Sequence, residues 1–266
     1  CKPDEKVITQ PPVYHPFRLT PLGNKREVVM NPLIMNEDGS YSMDFEGLAK
    51  VADEKCRVLI LANPHNPAGI VWDVDTLSRL ADFCSERGII VISDEIHCDM
   101  AHKGFKHHPF ASVSERAAQC SITFGAPSKT FNIAGIVSSY CVVPNEELRR
   151  PFFEWLDANE LSEPTIFSPI ATIAAFQNGE EWRQQMLEYV EANIDFVDNF
   201  LKTRIPQIKA LRPQASFLIW LNCRDLNLDH DALNRLFVDG ARLALNDGEM
   251  FGEEGRGFMR MNIASP

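Results

Sequence analysis

Two apolar runs without polar alternation, residues 57–62 (RVLILA) and 89–93 (IIVIS), bracket one amphipathic stretch. A strand that is apolar at every position must be covered on both faces, which is the habit of parallel sheets. Parallel neighbours need a crossover, and residues 73–87 supply one. Leu77, Leu80, Ala81 and Cys84 share a helical stripe there, and Gly88 stands where the helix would stop. Two further short runs, 121–124 (SITF) and 137–143, read as a third and a fourth strand. The pattern predicts an α/β chain with a mostly parallel central sheet and covering helices.

Beyond Pro144 the pattern turns helical. Residues 146–161, 169–177 and 180–204 read as helices, the last with Met186, Val190, Ile194, Val197 and Leu201 at 3–4 spacing. A strand over 216–222, a helix over 229–245 and a strand over 257–263 then predict a smaller C-terminal α+β domain. The expected division is a large α/β domain over 1–185 and the smaller one over 186–266.

Composition narrows the class. With 26 Lys+Arg against 37 Asp+Glu the formal net charge is −11, which argues against nucleic acid, whose phosphates need a basic face. The 45% apolar and 24% charged content excludes a disordered tail. Seven cysteines form no C-x-x-C pair, which suits free thiols in a reducing compartment. No apolar run reaches the length of a membrane span. The expectation is a cytoplasmic protein without nucleic-acid or membrane partners. His102, His107 and His108 sit among Lys, Gly and Phe and read as a solvated loop without metal-ligand spacing.

In parallel α/β sheets, ligands bind beyond the carboxyl ends of the strands. Three such ends here carry chemistry: Asn63-Pro64-His65-Asn66-Pro67-Ala68-Gly69, then Ser93-Asp94-Glu95-Ile96-His97, then Ser128-Lys129-Thr130-Phe131-Asn132. If the strands share one sheet, Asn66, Asp94 and Lys129 converge. An amide, a carboxylate and an amine suit an aromatic aldehyde cofactor: lysine forms a Schiff base, and a carboxylate keeps a pyridine nitrogen protonated. Taken singly, Asp94 could cap a helix, Lys129 could be a surface charge, and the Asn-Pro pairs could be turn chemistry.

These three motifs together, with Ile133-Ala134-Gly135 following the lysine motif, resemble the fold-type I pyridoxal-phosphate enzymes. More narrowly they look like the class I/II aminotransferase family, in its MalY/PatB-like branch of cystathionine β-lyases. The resemblance runs from Tyr14 to Pro266. It implies the PLP-transferase type I fold and pyridoxal 5′-phosphate as cofactor. By resemblance Lys129 matches the Schiff-base lysine, Asp94 the partner of the pyridine nitrogen, and Asn66 the amide on the phenolic oxygen. Tyr14 matches the aromatic that stacks on the ring, and Arg260 the arginine that grips the substrate carboxylate. Arg256 is a weaker competitor for that role.

Departures from the family pattern favour the lyase branch. His97 stands where aminotransferases usually carry tyrosine; it is either a hydrogen-bonding neighbour of the cofactor or a structural histidine. Val137 and Ala126 replace an arginine and a serine that usually bind phosphate, which leaves Ser128 as the phosphate candidate. The resemblance implies carbon–sulfur β-elimination on cystathionine or related cysteine S-conjugates, with an aminotransferase as the alternative and a non-catalytic regulator as a third reading. It also implies a homodimer with shared active sites. Relatives carry a substantial stretch before the position of Tyr14, so the chain reads as a fragment lacking that part.

Overall fold

The structure is a computed structural model that describes residues 1–265. In chain order its strands are β1 (Lys6–Thr9), β2 (Glu27–Met30), β3 (Ile34–Met35), β4 (Tyr41–Ser42), β5 (Cys56–Ala62), β6 (Ile90–Asp94), β7 (Ser121–Gly125) and β8 (Tyr140–Val142), followed by β9 (Lys209–Leu211), β10 (Leu218–Asn222), β11 (Asn246–Asp247) and β12 (Phe258–Asn262). The α-helices are α1 (Pro16–Gly23), α2 (Phe45–Val51), α3 (Val74–Glu86), α4 (Glu115–Gln119), α5 (Glu146–Ala158), α6 (Phe167–Asn178), α7 (Glu180–Arg204) and α8 (His230–Arg235).

The larger sheet has six strands in the order β2-β1-β5-β6-β7-β8. All its neighbours pair in parallel except β7 and β8. The crossover helix α3 lies where the periodicity placed it. Its cap, Asp73, accepts the Thr76 N–H at 2.6 Å, and the stripe Leu77, Leu80, Ala81 and Cys84 is buried without exposure. Gly88 closes the helix at φ +63°, a left-handed conformation glycine adopts without strain.

Several elements differ from the sequence reading. Strands β1 and β2 were not anticipated: each has only four residues, too few to show a period. The expected strand over 137–143 shrinks to β8 and runs antiparallel. Val137 sits at φ +52° at the end of a 3₁₀ turn, and no crossover helix separates β7 from β8. The expected helix over 229–245 starts at Asp229, which caps it through the Ala232 N–H, but α8 ends at Arg235. A π-turn over Leu236–Gly240 follows, with Leu236 and Val238 exposed rather than packed.

The smaller sheet, β11-β12-β10-β9, is antiparallel throughout. Its central strands alternate between two cores, as the period of two requires. Ile219, Leu221 and Met259 face a cluster with Val190, Ile194 and Leu201 of α7. Trp220 and Phe258 face the cluster that fills the larger sheet. Trp220 stacks on Phe258 at 5.0 Å, meets Phe251 edge-on at 5.3 Å, and donates to the Tyr41 hydroxyl at 3.3 Å. It therefore pins the second sheet to the first. Trp220→Ala is expected to cost about 3–5 kcal/mol, read as a lowered midpoint in urea unfolding; a midpoint equal to that of the parent would contradict this role.

Candidate active site

Four parallel strands end at one edge of the larger sheet, and each delivers a polar side chain. Ala62 is level with Asp94, and Asp94 with Phe124, so the chain leaves β5, β6 and β7 at the same height. Beyond the ladder, the Asn63 N–H donates to the Asp94 carbonyl at 3.0 Å and the Glu95 N–H to the Phe124 carbonyl at 2.8 Å. The loop after β5 brings Asn66, β6 ends on Asp94 itself, and the turn after β7 carries Ser128 and Lys129. The unanticipated strand β1 supplies the fourth end. The Tyr14 N–H donates to the Asn66 carbonyl at 3.1 Å and fixes the tyrosine beside that loop.

Tyr14, Asn66, Asp94, His97, Lys129 and Arg260 line one cavity of ≈ 310 Å³. Ser128 does not join them. It opens on an adjoining cavity of ≈ 300 Å³, which shares Lys129, Phe217 and Asn262 with the first. Arg256 lies outside both, exposed and paired with Glu249 at 3.2 Å.

Asp94 accepts one hydrogen bond, from the Ile96 N–H at 3.1 Å. Burial raises its pKa, the Ile96 N–H opposes that, the Glu95 carboxylate adds to it, and Lys129 lowers it. Arg260 arrives from β12, on the face shared with Phe258 and Asn262. Its Nη1 donates to Asn66 Oδ1 at 3.0 Å and its Nη2 to Asn246 Oδ1 at 2.7 Å, while the Phe251 ring lies 4.8 Å from the guanidinium carbon. Its Nε is buried and unpartnered, and no carboxylate pairs with it among the described residues. Burial lowers its proton affinity, yet a guanidinium stays charged. Arg260 thus faces the cavity without a carboxylate in contact with it, while Asp94 lines the same cavity. Because Arg260 occupies the carbonyl end of the Asn66 amide, the amide N–H₂ is left for the cavity.

His97 is buried with Nδ1 unpartnered and meets Phe217 edge-on at 5.9 Å. Burial first, then the charges of Lys129 and Arg260, push its pKa down to about 3, so the imidazole is neutral. Sequence reasoning missed His15, which lines the same cavity with its ring 5.1 Å from Tyr14. Its position directly after Tyr14, between prolines, was the available signal. Two of the three histidines expected in a solvated loop are shielded from solvent: His102 is buried, and His107 Nε2 lies 2.8 Å from Glu95 Oε2 with both side chains nearly inaccessible, while His108 is half-buried. Glu95 Oε1 also accepts from Ser93 Oγ at 2.8 Å, Asn63 Nδ2 at 3.3 Å and the Phe110 N–H at 2.7 Å. Nothing in a lone Glu-x₁₁-His spacing signals such a pairing.

A family model described as aminotransferase class I and II matches residues 1–266. The chain belongs to that family. Among relatives of this aminotransferase-family chain, the cystathionine β-lyase PatB of Bacillus subtilis is 40% identical over 262 residues, 98% of this chain and 67% of that protein. Protein MalY of Escherichia coli is 34% identical over 263 residues, 98% and 67% of the two chains. Among solved structures, cystalysin from Treponema denticola, which contains pyridoxal 5′-phosphate, superposes with a TM-score of 0.96 at 33% identity. That match covers 100% of this chain and 67% of cystalysin. The pyridoxal-phosphate-bound C–S lyase of Staphylococcus hominis gives 0.89 at 33% identity, covering 100% and 69%. The expected type I fold, a mostly parallel sheet with covering helices, is therefore the fold of this family member.

The depressed His97 makes stability depend on pH. An imidazole near 6.5 when unfolded binds a proton that the folded state refuses until about pH 3. Its stabilising contribution is complete above about pH 6.5 and is lost as pH falls towards 3, at up to roughly 1.4 kcal/mol per pH unit. His97→Gln should flatten the fall of the urea midpoint across that window. Parallel pH profiles for the two proteins would contradict the assignment.

Proposed function

We propose that the chain carries the catalytic core of a pyridoxal 5′-phosphate-dependent carbon–sulfur β-lyase. It cleaves cystathionine or related cysteine S-conjugates to a thiol, pyruvate and ammonia. One observation carries the reading: an amine, a buried carboxylate, an amide N–H₂, an aromatic ring and an unpaired guanidinium converge on one cavity. The relatives and solved structures named as cystathionine β-lyase and C–S lyase support the choice of reaction.

The donor set fits the cofactor. Lys129 would hold its aldehyde carbon, Asp94 its ring nitrogen, the Asn66 N–H₂ its phenolic oxygen, and Tyr14 its ring face, with His97 beside it. Ser128, on the lysine turn but facing the adjoining cavity, would reach a phosphate oxygen. When bound, the cofactor supplies an electron sink for the pair left at the substrate α-carbon. The residues do the rest. Arg260 binds the substrate carboxylate as a fork, which matches the planar anion and fixes the α-carbon beside Lys129. Lys129 Nζ takes the α-proton, and Asp94 holds a proton at the ring nitrogen. The neutral His97 adds no charge that would compete with Asp94 for that proton.

The same reading assigns residues 1–185 to cofactor binding and residues 186–266 to the domain that brings Arg260. It includes a homodimer, supported by the exposed Phe167, Ile170 and Ile173 of α6, an apolar face of the kind that dimers bury. It also includes a cytoplasmic setting, supported by seven cysteines that are all free. No helix among the described residues is long and apolar enough to cross a membrane.

Incubation with cystathionine should release pyruvate and homocysteine without a keto-acid acceptor. Strict dependence on an acceptor would instead make the protein an aminotransferase. Lys129→Ala should lower turnover by about 10²–10⁴-fold or more and remove the visible absorbance of lysine-linked cofactor. An unchanged spectrum would overturn the assignment of Lys129.

A further inference from the structure

The guanidinium of Arg260 is held from both sides by neutral groups, although acids stand close by. On one side is Asn66, already part of the proposed site. On the other is Asn246, on the edge strand β11, which is level with Arg260 in the antiparallel register and accepts from its Nη2 at 2.7 Å. The next residue, Asp247, is level with Met259 and points to the opposite face. There it is fully engaged with other partners. Its Oδ2 lies 3.1 Å from His230 Nε2 and accepts from Asn234 Nδ2 at 3.3 Å, and its Oδ1 accepts the Glu249 N–H at 3.0 Å. Glu249 is turned aside as well, 3.3 Å from His230 Nδ1 and 3.2 Å from Arg256 Nε. A slip of β11 by one residue would put a carboxylate on Arg260 in place of an amide.

We propose that Asn246 is a positioning residue that sets the affinity of the site for the substrate carboxylate. It aims the Arg260 fork into the cavity while leaving its charge uncompensated. The inference rests on reading Arg260 as the carboxylate grip. An amide oxygen and a carboxylate oxygen accept the same hydrogen bond with nearly the same geometry. Only the carboxylate cancels the charge, and a guanidinium already compensated by an internal anion attracts a substrate carboxylate more weakly.

This separates an electrostatic role from a structural one. If Asn246 merely filled space or tied β11 to β12, the isosteric Asn246→Asp would be the milder change and Asn246→Ala the harsher. If Asn246 keeps the cation available, the order reverses. In steady-state kinetics with cystathionine, Asn246→Asp should raise KM by about tenfold or more with a much smaller change in kcat, a loss of ground-state binding. Asn246→Ala should raise it less. Propionate, used as a bare carboxylate probe, should raise the melting temperature of the parent and of Asn246→Ala but not of Asn246→Asp. Asn246→Asp itself should melt no lower than Asn246→Ala, which shows that any loss of affinity is not a folding defect. A KM for Asn246→Asp no higher than that of Asn246→Ala overturns the proposal. Arg260→Ala is the control for the underlying reading. An unaltered KM there removes Arg260 from the substrate site, whereas a raised KM beside an indifferent Asn246→Asp refutes only the role of Asn246.

Discussion

Parallel pairing of β1, β5, β6 and β7 forces their carboxyl ends to one edge, and past the last ladder bond the backbone there has to find new partners. The buried carboxylate of Glu95 meets much of that demand. It binds the Phe110 N–H, Ser93 Oγ, Asn63 Nδ2 and His107 Nε2. Both oxygens of this buried side chain are hydrogen-bonded, which offsets the cost of taking them out of water. Asn63 begins the loop that carries Asn66, and Ser93 precedes Asp94, so this anchor sits directly behind two side chains of the candidate site. The chemistry stands on one side of the strand ends and its support on the other.

The second constraint comes from the smaller sheet. Period-two alternation along β10 and β12 commits Trp220 and Phe258 to the first core and Met259 and Leu221 to the second. With both faces buried the register cannot slip, and Arg260 is carried to the cavity on the same face as Phe258. The guanidinium is thereby fixed beside Asn66, which its Nη1 meets at 3.0 Å, by packing on both faces of the strand. Burying an ion costs on the order of several kcal/mol. Two amide oxygens and the Phe251 ring offset part of that cost without neutralising the charge, so the remainder is available to an incoming anion.

Much of this was legible in the sequence. The α3 stripe and the Gly88 stop were readable because helical period and helix-stop chemistry are local properties. The convergence of Asn66, Asp94 and Lys129 was readable because parallel strands leave little choice about where their ends lie. The short strands β1 and β2 were not, because four residues carry no period and their pairing is decided by neighbours distant in sequence. The burial of His107 depends on Glu95, and the neutral grip on Arg260 depends on the β11–β12 register. Both are tertiary facts without a local signature. The antiparallel course of β8 is a matter of its pairing with β7, and Val137 on the way to it takes a positive φ where β-branched side chains rarely go.

The account stands or falls on Lys129 as the residue that takes the cofactor. Borohydride reduction of the cofactor-loaded protein, followed by proteolysis and mass spectrometry, tests this directly. The account predicts a phosphopyridoxyl group on the peptide containing Lys129, and the same preparation from Lys129→Ala should carry none. A label on a different lysine, or a labelled Lys129→Ala, would contradict it.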